Sequence, residues 1–297
     1  GDGTTPGTVP GGEDGGDGTT PGTVPGGEDD GDGTTPGTVP GGEDDGDGTT
    51  PGTVPGGEED GDGTTPGGGG GGPKPKLNTT DHYSYIKGYP DGTIKPQDNI
   101  SRQEVATILF RLLDDSVRDN YYSKEVTFED MTLEMWSITA VSTMTKAGVI
   151  AGYEDSTFRP ANNITRAEFA TLCARFDSGG SYTGEHMFPD IEGHWAAKYI
   201  NLAASKGWIK GYEDGTFRPN AYITRAEAMT LMNNVLERIV ADDGMLPDMI
   251  TWPDNTPDKW YYKAVQEATN SHFYVREAGL EKWTVMREPR DWSTLEK

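Results

Sequence analysis

The segment KGWIKGYEDGTFRPNAYITRAE, residues 206–227, predicts the fold of this chain because it occurs three times. It returns as KAGVIAGYEDSTFRPANNITRAE at residues 146–168 and, less closely, as YSYIKGYPDGTIKPQDNISRQE at residues 83–104. Internal repetition on this scale indicates one supersecondary unit that packs against copies of itself. We therefore expect a repeat domain that contains three copies of the unit.

Each copy carries the signals of a helix end, a tight turn and a new helix start. In the last copy, Gly207 follows an apolar-periodic run and takes the place of a C′ glycine in the left-handed conformation. Asp214-Gly215 supplies a tight turn, and Pro219 prevents the next helix from starting early. The unit is thus predicted to join two helices through a turn.

The helix start has the Ser/Thr-x-x-Glu pattern of a capping box. The hydroxyl at the N-cap accepts a hydrogen bond from the third helical amide, and the glutamate three residues on accepts one from the N-cap amide. These residues are therefore assigned a structural capping role. The three predicted pairs are Ser101 with Glu104, Thr165 with Glu168, and Thr224 with Glu227.

An arginine occupies the first helical position of every copy, as Arg102, Arg166 and Arg225. The helix dipole disfavours a cation there by roughly 0.3–1 kcal/mol, so the repeated choice indicates a tertiary partner or a function. One interpretation is that the arginine and free helix-start amides bind a carboxylate or phosphate. The other, given equal weight, is that the arginine pairs with an acidic residue of a neighbouring repeat.

Residues 1–72 differ in composition from the rest of the chain. Residues 1–60 are four copies of a 15-residue unit, GDGTTPGTVPGGEDG with small variations at its end. The segment 1–72 contains 16 acidic residues and no lysine or arginine, and valine is its only large apolar residue type. Such a segment cannot bury enough surface to offset the entropy of ordering. We predict a disordered acidic linker that precedes a folded domain at 73–297.

Composition limits the function classes further. After residue 72 there are 33 acidic and 25 basic residues, and the whole chain has a net charge of −24, which argues against nucleic-acid binding. No apolar run approaches the roughly 18 residues that span a bilayer, so neither a transmembrane segment nor a signal peptide is expected. The single cysteine, Cys173, allows no internal disulfide. Because the chain begins at Gly1 rather than Met, we expect a fragment or a processed product.

Each repeat has an opening half, which begins with Phe-x-Asp or Trp-Pro-Asp and forms the first helix, and a closing half, which carries the turn and the capping box. The two kinds of half are staggered along the chain. Trp252-Pro253-Asp254 mirrors Phe188-Pro189-Asp190, whereas the first closing half has no opening half before it. We expect residues 252–270 to pack beside 83–113, complete the first repeat and close a pseudo-threefold ring without exposed ends. The first predicted repeat consists of residues 78–118 with 252–270, the second of 126–178 and the third of 186–240. Their second helices are predicted over about 102–113, 166–176 and 225–240. The aromatic segment 271–297 is expected to lie against the bundle.

These residues resemble the S-layer homology family. The shared features are the Phe-x-Asp opening, the His-Trp-Ala helix start, Gly-Tyr-x-Asp-Gly-Thr-Phe-x-Pro and the Thr-Arg-Ala-Glu box, over about residues 78–270. The resemblance implies a mainly α domain, a three-pronged spindle around a central helical bundle. It also implies a non-covalent anchor of surface proteins on the bacterial cell wall, of the Gram-positive type. In the family, grooves between adjacent prongs bind secondary cell-wall polysaccharide, which often bears pyruvate ketals.

A pyruvate ketal presents a carboxylate, which suits arginines at helix starts, and sugar rings pack on aromatic faces and polar loops. The alternatives are that the tryptophans pack in the core or between prongs, and that the aspartates only form turns. The predicted glycan-binding residues are Arg102, Arg166, Arg225, Gly88, Gly152, Gly211, Asp91, Asp155, Asp214, Trp136, Trp195 and Trp260.

An enzymatic function is not expected from this sequence. Its four histidines, at positions 82, 186, 194 and 272, lack metal-ligand spacing, and there is no nucleophile elbow or phosphate loop. We therefore predict no catalytic residue, no metal and no cofactor. Two alternatives stay open: a structural module that contacts neighbouring surface-layer proteins, and the anchor region of an exported enzyme whose catalytic domain lies upstream.

The third repeat matches the family pattern best, so its box at Arg225 is expected to bind glycan most tightly. Arg225→Ala should then weaken glycan binding without unfolding the domain, as measured by binding to purified wall glycan and by circular dichroism. Unchanged affinity in a folded variant would contradict this assignment.

Overall fold

The computed structural model describes residues 72–177, 182, 184 and 186–296. The predicted linker lies outside this part, apart from residue 72. Within it, eight α-helices, a 3-10 helix at Pro189–Ile191 and one two-stranded sheet give a mainly α fold, as predicted. The helices are α1 (Arg102–Leu112), α2 (Asp115–Tyr121), α3 (Ile138–Lys146), α4 (Arg166–Ala174), α5 (Ala197–Ser205), α6 (Arg225–Val235), α7 (Tyr262–Thr269) and α8 (Ser293–Glu296), and the strands are β1 (His272–Glu277) and β2 (Leu280–Met286).

Three helix pairs form the core. Helix α1 packs against α3, α4 against α5, and α6 against α7, so each closing helix meets the opening helix that follows it in the chain. The buried faces carry aliphatic and aromatic side chains such as Leu109, Phe169 and Met229, each fully buried. Gly148 and Gly207 have φ of 71° and 72° after α3 and α5, which is the left-handed C′ conformation predicted from the sequence.

Two details of the predicted secondary structure are wrong. Helix α6 ends at Val235 rather than near Val240, because Glu237 adopts a φ of 57° and the amide of Arg238 turns back to the Asn233 carbonyl. Helix α4 ends at Ala174, two residues before the predicted Phe176. Helix α2 and the β1–β2 hairpin were not anticipated, since neither belongs to the repeated unit.

A cycle of backbone hydrogen bonds joins the three repeats just before their capping boxes. The amide of Ile100 donates to the Ile223 carbonyl, Ile223 to Ile164, and Ile164 back to Ile100, each at 3.1 Å. All three isoleucine side chains are at most 2% exposed. The residue before each N-cap therefore lies at one shared buried contact, where three chain segments meet.

An aspartate from each opening half holds the turn of a closing half. Asp130 accepts the amides of Phe158 and Arg159 at 2.7 Å each. Asp190 does the same for Phe217 and Arg218, at 2.8 and 2.7 Å. Both carboxylate oxygens are used, so each of these turn amides has an acceptor within the protein.

The C-terminal opening half makes the equivalent contact with the first repeat. Asp254 accepts the amides of Ile94 and Lys95, at 3.1 and 2.7 Å. The carbonyl of Ala268, in α7, accepts the amides of Tyr85 and Ile86. Residues 252–270 thus contact the 85–95 segment, while α7 itself packs on α6.

The aromatic segment after residue 270 folds as a hairpin followed by a short helix. Strands β1 and β2 are antiparallel, with a register shift between Phe273 and Tyr274. Trp283 and Trp292 are buried at 4% and 2% exposure, and the Trp292 indole donates to the Ser84 carbonyl at 2.8 Å. Among the described residues, no helix has the length and apolar character needed to traverse a bilayer.

The Asp254 contact predicts a stability cost for Asp254→Ala. Two inward-facing amides lose their acceptor, and each costs about 1–3 kcal/mol when left unsatisfied. We expect the free energy of unfolding in urea to fall by about 2–4 kcal/mol, a loss comparable to that of Asp190→Ala. Asp258→Ala, which removes an exposed carboxylate from the same segment, serves as the control and should stay near wild type. Wild-type stability in Asp254→Ala would show that this segment does not complete the first repeat.

Candidate functional site

Each of the helices α1, α4 and α6 begins with a capping box whose glutamate uses its two oxygens for different partners. In the third box, Glu227 Oε2 accepts the Thr224 amide at 2.9 Å, and the Glu227 amide donates to the Thr224 hydroxyl at 3.2 Å. The boxes at Ser101 and Thr165 have the same bonds. The other oxygen, Oε1, is left to face the neighbouring repeat.

That second oxygen binds the arginine of another repeat. Arg102 Nη1 lies 3.3 Å from Glu168 Oε1, Arg166 Nη1 lies 2.9 Å from Glu227 Oε1, and Arg225 Nη1 lies 2.6 Å from Glu104 Oε1. The pairs run from the first repeat to the second, the second to the third, and the third to the first. The ion pairs therefore form a closed cycle.

Each arginine also binds the backbone of the same neighbour. Its Nε donates to a turn carbonyl, from Arg102 to Phe158 at 2.8 Å, from Arg166 to Phe217 at 2.9 Å and from Arg225 to Ile94 at 3.0 Å. The arginine side chains are only 9%, 9% and 4% exposed. Pairing with an acidic residue of a neighbouring repeat, one of the two interpretations of the sequence, is thus observed for all three.

The helix-start amides, which the other interpretation requires to be free, are occupied. At α6, the amides of Arg225 and Ala226 donate to the carbonyls of Asp98 and Pro96, at 2.9 and 2.8 Å. The corresponding amides of α1 donate to Asn162 and Pro160, and those of α4 to Ala221 and Pro219. A ligand carboxylate would have to displace these carbonyls to bind the amides.

A tyrosine at each site lies between a buried and an exposed cation. The Tyr212 ring has the Arg166 guanidinium 4.7 Å from its centroid and the Arg218 guanidinium 3.9 Å from it. Its hydroxyl donates to Glu227 Oε1 at 3.1 Å. The second site has Tyr153 with Arg102 and Arg159, and the first has Tyr89 with Arg225 and Lys95.

The exposed cations were not singled out by the sequence analysis. Lys95, Arg159 and Arg218 adopt φ values of 49°, 55° and 56°, a conformation that costs a non-glycine residue energy and that is held here by the aspartate contacts described above. Their side chains are 37%, 40% and 52% exposed. A signal was available in the sequence, since a lysine or arginine precedes the proline in all three copies of the unit.

The predicted aspartates form turns and also hold these cations. Asp214 Oδ1 accepts the Thr216 amide and hydroxyl, at 3.0 and 2.6 Å, and Oδ2 lies 2.8 Å from Arg218 Nη2. The same pattern links Asp155 to Arg159 at 3.0 Å and Asp91 to Lys95 at 3.5 Å. Hydrogen bonds from Thr157 and Arg159 lower the pKa of Asp155 to about 2, and those from Thr216 and Arg218 hold the pKa of Asp214 well below its ordinary value.

Packing against an aromatic ring accounts for the three predicted glycines. A Cβ on Gly152 would lie 2.3 Å from the Phe128 ring, and one on Gly211 would lie 2.5 Å from the Phe188 ring. At Gly88 the ring is that of Trp252, at 2.1 Å. The lack of a side chain at these glycines therefore lets an opening half pack against its turn. This packing role is independent of any contact with a ligand.

The predicted tryptophans lie on the surface. Trp136, Trp195 and Trp260 are 54%, 36% and 65% exposed, and each lies in the short turn that precedes an opening helix. Two of the rings also pack on a neighbouring ring, Trp195 on His194 and Trp260 on Tyr261, and the exposed part of each indole is accessible to a ligand or partner.

Comparison with known proteins identifies the unit. The S-layer homology domain matches at three segments, residues 82–106, 127–170 and 188–229. The chain contains S-layer homology domains. A cellulosome-anchoring protein of Acetivibrio thermocellus is 39% identical over 68% of this chain and 46% of its own length.

Two further relatives carry similar segments. Cell surface glycoprotein 1 of the same organism is 34% identical over 70% of this chain and 9% of its own length. An S-layer protein of Bacillus licheniformis is 32% identical over 48% of this chain and 16% of its own length. The chain thus spans less than half the length of each of these relatives, and the similarity covers S-layer homology domains.

The burial of Arg225 changes what Arg225→Ala is expected to do. Removing Arg225 takes the donor from the Ile94 carbonyl and leaves Glu104 Oε1 with the Tyr89 hydroxyl, at 3.3 Å, in place of the guanidinium. Loss of one partner of a buried ion pair typically costs about 3–5 kcal/mol. We expect Arg225→Ala to lower the free energy of unfolding by about 3 kcal/mol. Arg218→Ala, which breaks only an exposed pair, should cost less than about 1 kcal/mol.

The measurement is urea unfolding of both variants, followed by tryptophan fluorescence. Equal stability of the two variants would show that the interrepeat ion pair contributes nothing that the exposed pair does not.

Proposed function

We propose that residues 73–297 anchor a surface protein non-covalently to the bacterial cell wall by binding a carboxylate-bearing secondary cell-wall polysaccharide. The observation that carries the proposal is the exposed cation stacked on a tyrosine at three equivalent turns. A guanidinium or ammonium group binds a sugar carboxylate such as a pyruvate ketal, and nearby aromatic faces bind sugar rings. S-layer homology domains and anchoring relatives support a cell-surface location; a wall of the Gram-positive type is part of the proposal.

The proposed binding sites are grooves between adjacent prongs of a three-pronged spindle. In this arrangement, the cyclic ion pairs lie at the base of the grooves, and the exposed cations and tryptophans line their rims. Residues 252–270 supply the missing opening half of the first repeat, which the Asp254 contacts support. The three sites differ in sequence, because Lys95 replaces an arginine in the first and Trp136 follows Met135 rather than histidine in the second.

The two sets of cations have different roles in this proposal. The exposed residues Lys95, Arg159 and Arg218 bind the ligand carboxylate directly. We propose that Arg102, Arg166 and Arg225 contribute to glycan binding indirectly. Each of them fixes the turn that carries an exposed cation. The glycines and aspartates predicted as glycan ligands shape the same turns, and the tryptophans provide the faces on which sugar rings pack.

The domain is proposed to act without catalysis, on behalf of a longer protein. The relatives named above are an anchoring protein, a surface glycoprotein and a surface-layer protein, and the matched segments make up less than half of each. The cargo, meaning the part of the protein that the domain holds on the wall, therefore lies elsewhere in such proteins. The acidic linker of residues 1–72 is proposed to hold cargo and wall apart.

A second candidate function is contact with neighbouring surface-layer proteins. The exposed apolar side chains of Trp136 and Leu133, at 54% and 63% exposure, favour it because they lie close together in the chain on one turn. In this case the domain would associate in a concentration-dependent manner without glycan.

The test is sedimentation of the full chain with cell-wall sacculi, before and after chemical removal of the secondary polysaccharide. We expect binding that is lost on stripping. Arg218→Ala should weaken binding to intact sacculi by at least about tenfold, because a charge-assisted hydrogen bond contributes about 1.5–3 kcal/mol. Lys282→Ala, which removes a partly exposed, ion-paired cation on the hairpin, is the control and should bind like wild type.

Three results would contradict the proposal in different ways. Equal binding to stripped sacculi would identify peptidoglycan as the ligand. Equal losses in Arg218→Ala and Lys282→Ala would show only a general charge effect. Self-association without binding to either wall preparation would favour the surface-layer contact instead.

A further inference from the structure

Four side chains away from the three capping boxes meet in the interior of the protein. His82, Glu267, His272 and Glu281 each offer one ligand atom, and these four atoms lie within 4.8 Å of one another. All four residues are at most 1% exposed. Two imidazoles and two carboxylates at such burial need partners, because an unpaired buried polar group is costly.

The four residues come from four separate segments that are fixed by backbone bonds. His82 lies in the extended chain at the start of the first repeat, Glu267 in the last turn of α7, and His272 and Glu281 in β1 and β2. The amide of His272 donates to the His82 carbonyl at 3.0 Å, and the amide of Glu281 donates to the Ile239 carbonyl at 2.8 Å. The backbone therefore holds the cluster in place independently of its side chains.

The hydrogen bonds of His272 leave a lone pair directed at a carboxylate. Its Nδ1 lies 3.0 Å from the Asn270 carbonyl, which can only accept, so Nδ1 carries the proton and Nε2 carries a lone pair in the neutral ring. Nε2 has no hydrogen-bond partner in the described part of the chain. Its neighbour at 3.3 Å is Glu267 Oε2, which already accepts the Trp283 indole proton at 3.0 Å.

His82 has a similar arrangement. Its Nδ1 faces the Thr80 carbonyl at 3.4 Å, and its Nε2 lies 3.0 Å from Glu281 Oε2 and 3.8 Å from Glu267 Oε1. Glu267 Oε1 also lacks a hydrogen-bond partner among the described residues. Acceptor atoms thus converge from several sides on one small buried volume.

We propose that His82, Glu267, His272 and Glu281 bind one Zn²⁺ ion. A tetrahedral zinc site with bonds of about 2.0–2.1 Å has edges of about 3.3–3.4 Å. His82 Nε2 lies 3.0 Å from Glu281 Oε2, and His272 Nε2 lies 3.3 Å from Glu267 Oε2, both close to that edge. All four ligand atoms lie within 4.8 Å of one another, so the ligands have to draw together slightly around the ion. Nitrogen and carboxylate oxygen are both ligands that zinc takes in proteins.

The surrounding groups match those that orient metal ligands. A metal-bound histidine almost always donates its second N–H to a carbonyl or carboxylate, as both imidazoles are placed to do here. Each carboxylate is fixed by a donor: Arg276 Nη2 lies 2.9 Å from Glu281 Oε1, and Trp283 donates to Glu267. The tautomer of His272 and the orientations of both carboxylates are therefore set before any ion enters, and metal binding would place the proton of a neutral His82 on Nδ1.

Nearby positive charge narrows the choice of ion. Arg276 pairs with Glu281, and the guanidinium of Arg238 is buried close by, with Nε and Nη1 lacking partners in the described region. These positive groups repel a metal cation. The affinity of the site for a metal therefore has to come from direct bonds to imidazole nitrogen rather than from net negative charge. That favours zinc over Ca²⁺ or Mg²⁺, which bind through oxygen.

The ion would have a structural role. Four protein ligands fill a tetrahedral zinc, which is the pattern of structural rather than catalytic sites. The site would join the start of the first repeat to α7, in the last opening half, and to the hairpin that follows it. It would thereby fasten both ends of the repeat array at one point, apart from the cation–tyrosine sites proposed for glycan.

The test is metal analysis of the full, tag-free chain after incubation with Zn²⁺ and dialysis. We expect about one zinc per chain by mass spectrometry, and none after treatment with a chelator under partly denaturing conditions. At free zinc of 100 times Kd, the melting temperature should rise by about 5–10 °C. His272→Gln should retain no stoichiometric zinc, and His186→Gln, which alters an exposed histidine, should retain one.

X-ray absorption at the zinc edge of the wild-type protein gives a readout that does not depend on how the variants fold. Two imidazole ligands with nitrogen or oxygen donors completing four-coordination would support the site. A folded wild-type chain that retains no zinc, equal zinc in His272→Gln and His186→Gln, or a spectrum without imidazole would each overturn it. Glycan binding by Arg218→Ala and wild type is measured separately, so failure of either proposal leaves the other testable.

Discussion

One carboxylate per repeat, shared between two tasks, holds the three repeats together. Glu104, Glu168 and Glu227 each cap their own helix with one oxygen and bind an arginine of another repeat with the other. The first task is local and the second is tertiary, so helix initiation and repeat docking depend on the same group. This explains why a cation occupies the unfavourable first position of the helix: the neighbouring glutamate and backbone carbonyl offset the dipole.

The repeated unit was largely predictable because its signals are local. Capping boxes, C′ glycines and turn residues act within a few positions of the chain, and Gly148 and Gly207 have the predicted conformation. The same is true of the aspartates that pair with the exposed cations, because their turns involve only residues that are close in the chain. The partner of each arginine was left open by the sequence because it is separated from the arginine by 61 or more residues, and periodicity does not report distances between segments.

Other features escaped prediction for the same physical reason. The hairpin lies outside the repeat and has no copy against which to compare it. His82 and His272 looked scattered, since 190 positions separate them, yet their ring centroids lie 5.1 Å apart. The exposed cations Arg159 and Arg218 were overlooked because their importance lies in a left-handed backbone conformation, which only the aspartates of the opening halves make apparent.

The position of Asp254 has a consequence for how the chain folds during synthesis. The turn at residues 94–95 emerges from the ribosome early, but the carboxylate that satisfies its amides follows about 160 residues later. The aspartates that bind the second and third turns precede those turns in the chain and are therefore synthesised first. The first repeat therefore waits, incomplete, until the last opening half arrives, and a contact between segments about 160 residues apart completes it.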